Sequence, residues 1–447
     1  MNIFVAGGGR IGFHLATLLS KENHDVTVIE WDTEQLDELD ASLDVSTVEG
    51  DAASVMLLTE AGVKSAELFV AATGSDEVNL LSAAAAKSLG AKRAVARVHK
   101  APYLETAMLY EQTLDIDFVL SPEAITALDI ANYIESPGIV ASEDFGRGLV
   151  QMRQIRVLES PTRDGKTLKD VCPPGSGVLL GAISRRSQTL IPHGDTIVEP
   201  GDLVTLVGKR EKMEAVQKLF HGADSQPRSV VIMGGGSIGL HLAQVLEQRL
   251  RSVKLFDKNS AYCCHLSEQL MKTDVIARDV TSRTVIEEES VAAADLFVAT
   301  TRDDERNIMA SVLAKEMGVD HTVTVVHQPD FAPLVWKLGI DHAVTPRTCF
   351  ANRVLKLVRQ EQVSSAAVLE EGEVEILEVH VKDKMPIAGK PLREVQSRFP
   401  RQALVATIQR GDDVIVPSGN DAMLVGDCVV IITTSDAVEA VRKLFKR

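Results

Sequence analysis

The chain has 447 residues, of which 45% are hydrophobic and 25% charged, and a net charge of −16. At roughly 100–200 residues per domain, this length predicts two to four domains, each able to bury a core. The acidity argues against nucleic acid, which needs a basic face, and against broad adsorption to anionic lipid. No run approaches the ~20 apolar residues that cross a bilayer, so no direct membrane insertion is expected.

From the N-terminus, Met1–Ala6 enters a strand-like run directly, without the basic and apolar segments of a signal peptide. Five scattered cysteines (Cys172, Cys263, Cys264, Cys349, Cys428) make no disulfide framework. Both features point to a cytosolic protein. Ile3–Ala6 predicts the first strand. Gly7-Gly8-Gly9-Arg10-Ile11-Gly12 predicts a turn opening a helix with Ile11, Leu15, Leu18 and Leu19 near helical spacing. Val26–Ile29 predicts a second strand ended by Glu30, 18 residues beyond the last glycine. This order is the dinucleotide-binding fingerprint. Its first glycine permits the tight turn, its second lets backbone approach phosphate, and its third lets helix pack on strand. Phosphate then faces unpaired helix N–H groups. Glu30 would accept hydrogen bonds from a ribose diol, and its charge disfavours a 2′-phosphate and hence NADP.

Further strands are expected at Ser46–Gly50 before Asp51, at Leu68–Ala72 before Thr73-Gly74, at Ala94–Val98 with Arg97, and at Phe118–Leu120 before Ser121-Pro122. Ligands of a parallel sheet sit beyond the carboxyl ends of its strands, which makes Asp51, Thr73, Gly74 and Arg97 candidates. Asp51 meets an adenine or ribose edge, or it forms a turn. Thr73-Gly74 approaches the nucleotide, or it ends a strand. Arg97, inside an apolar strand, needs an anionic partner: a phosphate first, a structural carboxylate second. Asp76-Glu77 are expected to cap the following helix rather than act as acid and base.

The chain then repeats itself. Gly7, Gly9, Gly12 and Glu30 recur at an offset of 227 as Gly234, Gly236, Gly239 and Asp257. Leu68–Asn79 recurs as Leu296–Asn307. A second pair of segments, Ile155–Phe220 and Ile376–Phe445, also match each other. The fold class is therefore α/β: two Rossmann-like doubly wound parallel-sheet domains, each followed by a small α+β domain. Boundaries are expected at 1–135, 145–222, 228–360 and 370–447, with linkers near 135–150, 221–228 and 361–373. The copies differ in charge. Arg10 becomes Ser237 and Arg97 becomes Val325, so the first site is expected to favour a more highly charged phosphate chain.

Gly7–Gly12, Glu30, Gly50-Asp51, Ala72–Asn79 and Ala96-Arg97, with the second set from Gly234 to Asn307, resemble the TrkA family, the cytoplasmic regulatory subunits of Trk potassium-uptake systems. The resemblance covers essentially the whole chain, and the duplicated order is its most specific element. It implies a homo-oligomeric, tetrameric ring docked under a membrane-embedded potassium channel or transporter subunit. It implies a location at the inner face of the cell membrane and gating by NAD(H) or ATP/ADP. The implied nucleotide positions are Gly7, Gly8, Gly9, Arg10, Ile11, Gly12, Glu30, Asp51, Thr73, Gly74 and Arg97, then Gly234, Gly235, Gly236, Ser237, Ile238, Gly239 and Asp257. Val325, and Asp279 without a preceding glycine, leave the second ligand open.

No catalytic residue is expected. Neither small domain repeats a His, Cys or Lys that can serve as base or nucleophile, and His193 and His380 do not correspond. No metal site is expected either, since adjacent Cys263-Cys264 is not metal-ligand spacing. Two alternatives remain at this point: an NAD-dependent oxidoreductase, and an assembly scaffold with vestigial nucleotide clefts. The helices Ala124–Ile134 and Cys349–Val358, with apolar faces, are the expected subunit contacts; packing within one subunit is the rival.

Overall fold

The computed structural model describes the chain apart from residues 23, 136–138, 158–166, 174, 186–187, 222–227, 251, 360–365, 369–373, 384, 386, 401 and 446–447. The linkers expected at 221–228 and 361–373 fall largely outside the described residues. Two compact units form: Met1–Ile134 with Pro227–Val358, and Glu135–Gln226 with Arg359–Arg447. Each unit thus combines the corresponding parts of both copies.

In chain order, the first copy begins with β1 (Asn2–Ala6), α1 (Arg10–Lys21), β2 (Asp25–Glu30), β3 (Ser46–Glu49), β4 (Leu68–Ala71), α2 (Asp76–Leu89), β5 (Ala94–Arg97), β6 (Phe118–Leu120) and α3 (Pro122–Glu135). The strands form one parallel sheet, ordered β3-β2-β1-β4-β5-β6. β1 and β4 are short apolar runs because helices cover both faces of a parallel sheet. The chain reverses its direction of travel between β1 and β4, which opens the crevice at their carboxyl ends.

An antiparallel sheet follows, with β7 (Ile139–Phe145), β8 (Val150–Arg156), β9 (Val178–Arg185), β10 (Gln188–Leu190) and β11 (Leu203–Lys209) in the order β10-β9-β11-β8-β7. The second copy gives β12 (Ser229–Met233), α4 (Ser237–Leu246), β13 (Ser252–Phe256), β14 (Asp274–Ile276), β15 (Leu296–Ala299), α5 (Asp304–Glu316), β16 (His321–Val325), β17 (His342–Val344) and α6 (Pro346–Arg359). Its parallel sheet, β14-β13-β12-β15-β16-β17, repeats the first. The last sheet contains β18 (Ala366–Val368), β19 (Val374–His380), β20 (Ala403–Arg410), β21 (Asp413–Ile415) and β22 (Cys428–Thr434), ordered β18-β19-β22-β20-β21.

The two parallel-sheet copies exchange their last helices. Ala127, Ile130, Ala131 and Ile134 of α3 pack into the second copy's core against Val230, Ile232, Leu242 and Leu246. In return, Phe350, Ala351, Val354 and Val358 of α6 pack into the first copy's core against Ile3, Val5, Leu15 and Leu19. Arg93 Nη1 donates to the Leu357 carbonyl across this contact, at 2.7 Å. These are the helices expected at subunit contacts. Here they join two copies within one chain.

In the other unit the two antiparallel sheets face each other through Phe145, Met152, Ala182 and Val207 on one side and Val374, Ile376, Val430 and Ile432 on the other. The approach is close enough that a Cβ at Gly181 would overlap Ile432. The repeated acids Asp202 and Asp427 are buried and each receives a two-pronged arginine, Arg185 at 2.7 and 2.7 Å and Arg410 at 2.9 and 2.8 Å. A buried carboxylate requires such a partner.

Candidate nucleotide clefts

The glycine turn has the same geometry in both copies. Gly7 and Gly234 each adopt φ +102°, in the region that favours glycine. A Cβ on Gly12 or Gly239 would overlap the carbonyl oxygen of Gly7 or Gly234, so the third glycine is required for packing. The middle glycines are open: a Cβ on Gly236 meets nothing within 4 Å, and one on Gly9 meets only the Gln35 side chain at 3.7 Å. Gly9 and Gly236 are the N-caps of α1 and α4, and neither helix has a side-chain cap or an acid in its first turn. α2 and α5, by contrast, are capped by Ser75 and Asp303. The helix ends behind the glycine turns therefore leave their donors and positive dipole ends for an anion.

One cavity of about 830 Å³ serves both copies. The first copy lines it with Gly9, Arg10, Gly74, Arg97, His99 and Glu123; the second with Gly236, Asp257, Arg278, Arg302, Arg306 and Arg347. A smaller cavity of about 410 Å³ lies beside it, between Gly8, Gly9, Arg10, Gln35 and Arg347.

The predicted residues take different places around this space. Glu30 is buried and accepts from the N–H groups of Gly8 (2.5 Å), Trp31 (2.8 Å) and Asp32 (3.1 Å). It ties the glycine turn to the end of β2. Asp257 makes the equivalent bond to Gly235 N–H (2.9 Å) while lining the large cavity. Asp51 forms a turn by accepting from Ala53 N–H at 2.9 Å, and lines neither cavity. Its counterpart Asp279 would be raised by burial, but Arg306 and Thr281 hold its carboxyl at about 2.

Thr73 and Arg97 belong to a knot built by fully buried Asn79. Asn79 Oδ1 accepts from Thr73 N–H and Oγ1 at 2.8 and 2.7 Å, and Nδ2 donates to the Thr73 and Arg97 carbonyls at 3.1 and 2.9 Å. Asn307 repeats all four bonds with Thr301 and Val325. The Arg97 guanidinium donates to the Thr73 carbonyl at 3.1 Å, and its Nε is buried without a hydrogen-bond partner. None of the described carboxylates pairs with it.

Asp76 does not cap α2 as expected. Ser75 does, and the buried Asp76 carboxylate accepts from the N–H groups of His99 (3.0 Å) and Lys100 (2.8 Å), fixing the loop after β5. Asp304 does the same for His327 and Gln328. The Glu77 carboxyl is pulled down to about 2, foremost by its hydrogen bond from Lys100.

Sequence reasoning missed His99, Glu123, Arg302, Arg306 and Arg347. His99 and His327 do recur at an offset of 228, a signal present in the repeat itself. His99 Nδ1 lies 2.8 Å from Glu123 Oε1 and Nε2 lies 3.2 Å from Arg302 Nη2. A guanidinium only donates, so Nε2 accepts and the proton sits on Nδ1, bonded to Glu123. This histidine–carboxylate pair resembles a general base, but its accepting nitrogen is already filled by Arg302. Arg347 Nη2 donates to the His327 carbonyl at 2.6 Å. Desolvation, then the positive charge of Arg10, lowers the Arg347 pKa, so two cations face the first copy's helix end.

Comparison with known proteins decides the family. TrkA-N domains match residues 3–122 and 230–346, and TrkA-C domains match residues 152–221 and 376–446. The chain belongs to the TrkA family. Relatives in this family include a Trk system potassium uptake protein TrkA homolog of Archaeoglobus fulgidus, 33% identical over 446 residues and all of both chains. The Trk system potassium uptake protein TrkA of Halomonas elongata is 31% identical over 100% of this chain and 99% of its own. Among solved structures, the RCK domain of GsuK aligns with a TM-score of 0.61 at 20% identity, over 99% of this chain and 94% of that one. The GsuK channel bound to NAD aligns at 0.63 and 20% identity, over 99% and 78%. These likenesses show that the TrkA-family chain shares their fold. Among the described residues, no helix is long and apolar enough to cross a membrane.

Proposed function

We propose that the chain is a nucleotide-binding regulatory subunit of a potassium-uptake channel or transporter and has no catalytic role of its own. The observation that carries this reading is the pair of uncapped helix ends, at Gly9 and Gly236, opening on one cavity between copies that exchange helices. Full-length similarity to Trk potassium-uptake proteins supplies the biological setting. The ligands are NAD(H) or ATP/ADP, held by phosphate on the two glycine turns, with Arg97 and Arg10 at the first cleft and Asp257 toward a ribose at the second. A further ribose contact is assigned to Glu30 through its remaining acceptor capacity.

A ligand shifts a conformational equilibrium only as far as it binds one state better than another. Arg10 and Arg347 come from different copies and face the same space, so a phosphate between them favours one relative placement of those copies. Couplings of ~1–3 kcal/mol are usual for such effects. The working form is a homo-oligomeric ring, tetrameric, of four-domain chains docked in the cytoplasm on its membrane partner. The test is a calorimetric panel of NAD, NADH, ATP and ADP, followed by potassium uptake in cells lacking the native subunit. Binding of none of the four overturns the nucleotide reading, and steady nicotinamide turnover would revive an oxidoreductase.

A further inference from the structure

Three side chains of different chemistry converge on the last antiparallel sheet, far in sequence from the glycine turns. β19 and β22 are neighbours, with His380 opposite Cys428 and Glu378 opposite Val430. Glu378 and His380 are two residues apart on β19 and so share a face, and Cys428 joins them from β22. An imidazole nitrogen, a thiol sulfur and a carboxylate oxygen lie within 4.8 Å of one another. Cys428 is buried, Glu378 half-buried and His380 exposed, so the thiol forms the floor and the imidazole the rim.

The cluster also borders the other copy's sheet. The N–H of Gly146 donates to Glu378 Oε2 at 3.2 Å. A Cβ on Gly146 would overlap the carboxamide of Gln409, which stands opposite Cys428 on β20. The same fold does not require this set of residues. In the first copy β8 and β11 pair Arg156 with Leu203, the positions of His380 and Cys428, and Gln154 takes the place of Glu378. A guanidinium and an isobutyl group ligate nothing, so the equivalent positions of the first copy lack the cluster.

We propose that Glu378, His380 and Cys428 form a site for a zinc-like divalent transition metal at the seam between the two small sheets. Mixed sulfur, nitrogen and oxygen donors at roughly 2.0–2.3 Å suit Zn²⁺, whereas Mg²⁺ and Ca²⁺ take oxygen alone. Three protein ligands leave one position for water. Binding converts the Cys428 thiol and the dication into a metal thiolate plus one proton released to solvent, so uptake strengthens as pH rises. Spacing hid the set, because Cys428 lies 48 residues beyond His380 and only strand pairing unites them.

The test uses the full chain, stripped with a chelator and titrated with Co²⁺. One equivalent per chain should bind and develop a thiolate-to-cobalt charge-transfer band, which Zn²⁺ then abolishes. Cys428→Ser should remove the band, and His380→Gln should weaken Co²⁺ binding at least tenfold. A wild-type protein without the band, or a band that persists in Cys428→Ser, overturns the proposal. If Cys428→Ser fails to fold, the rim variants decide: unchanged Co²⁺ affinity in both Glu378→Gln and His380→Gln also overturns it. None of these readouts depends on nucleotide binding, so the two proposals stand or fall separately.

Discussion

The two parallel-sheet copies keep one scaffold and exchange their charges. The Asn79 and Asn307 knots, the Asp76 and Asp304 clamps and the φ of Gly7 and Gly234 coincide. The side chains facing the cavity do not. Arg10 and Arg97 of the first copy give way to Ser237 and Val325, while Gly50, Gly74 and Val78 give way to Arg278, Arg302 and Arg306. At the start of the exchanged helices, Glu123 of the first copy corresponds to Arg347 of the second. Positions that satisfy buried backbone have one chemical solution, whereas positions facing solvent or ligand have many. The difference predicts two glycine-turn sites with the same backbone frame and unequal ligand preference.

The strongest way to break that comparison is at the third glycine. Gly12→Ala and Gly239→Ala each drive a Cβ into a carbonyl oxygen and should cost about 3 kcal/mol or more, removing one cleft's ligand. Calorimetric stoichiometry should fall by half in either variant, and a complete loss in Gly12→Ala would mean that only the first cleft is used. Next, Asn79→Ala and Asn307→Ala remove the same four hydrogen bonds and should each destabilise by about 2–3 kcal/mol in thermal unfolding. Unequal losses would show that the two knots do different work.

Smaller effects sharpen the difference instead. Arg97→Ala should weaken ATP in the first cleft by about 1–2 kcal/mol, or roughly 5–30-fold, and leave the second unchanged. Arg302→Ala should do the reverse. Arg347→Gln and Glu123→Gln should act with opposite signs, the first weakening and the second strengthening polyphosphate binding by about 1 kcal/mol in calorimetry. The smallest effect concerns Asp279, depressed to about 2 in the folded chain. Its contribution to stability is present above the ordinary carboxylate pKa of ~3.9 and is lost as pH falls through about 2. Arg306→Gln should flatten that loss in acid unfolding followed between roughly pH 5 and 2. An unaltered acid slope would remove Arg306 as its cause.

Much of the fold was legible because its demands are local. Glycine spacing, apolar strands and an acid at β2 are set by turn geometry and burial, and the repeat doubled each signal. The charged lining was not legible. Arg302 and Arg347 reach the cavity only through an α5 loop and an exchanged helix, and Glu123 arrives on the other exchanged helix. Sequence marked α3 and α6 as contact helices from their apolar faces, without showing that their partner is the other half of the same chain. Glu30 was legible as the acid that ends β2, but not the three backbone bonds that turn it inward.

The exchanged helices also set a timetable. During synthesis, the first parallel sheet emerges long before α6, which completes its core with Phe350 and Val354. At roughly 5–20 residues per second, the ~240 residues from β6 to the end of α6 take about 10–50 s. For that interval Ile3, Val5, Leu15 and Leu19 lack their final cover, and α3 waits with its apolar face for a sheet not yet made. The nascent chain thus passes through a long-lived half-finished state, and a ribosome stalled between the copies would release a product whose core has an open side.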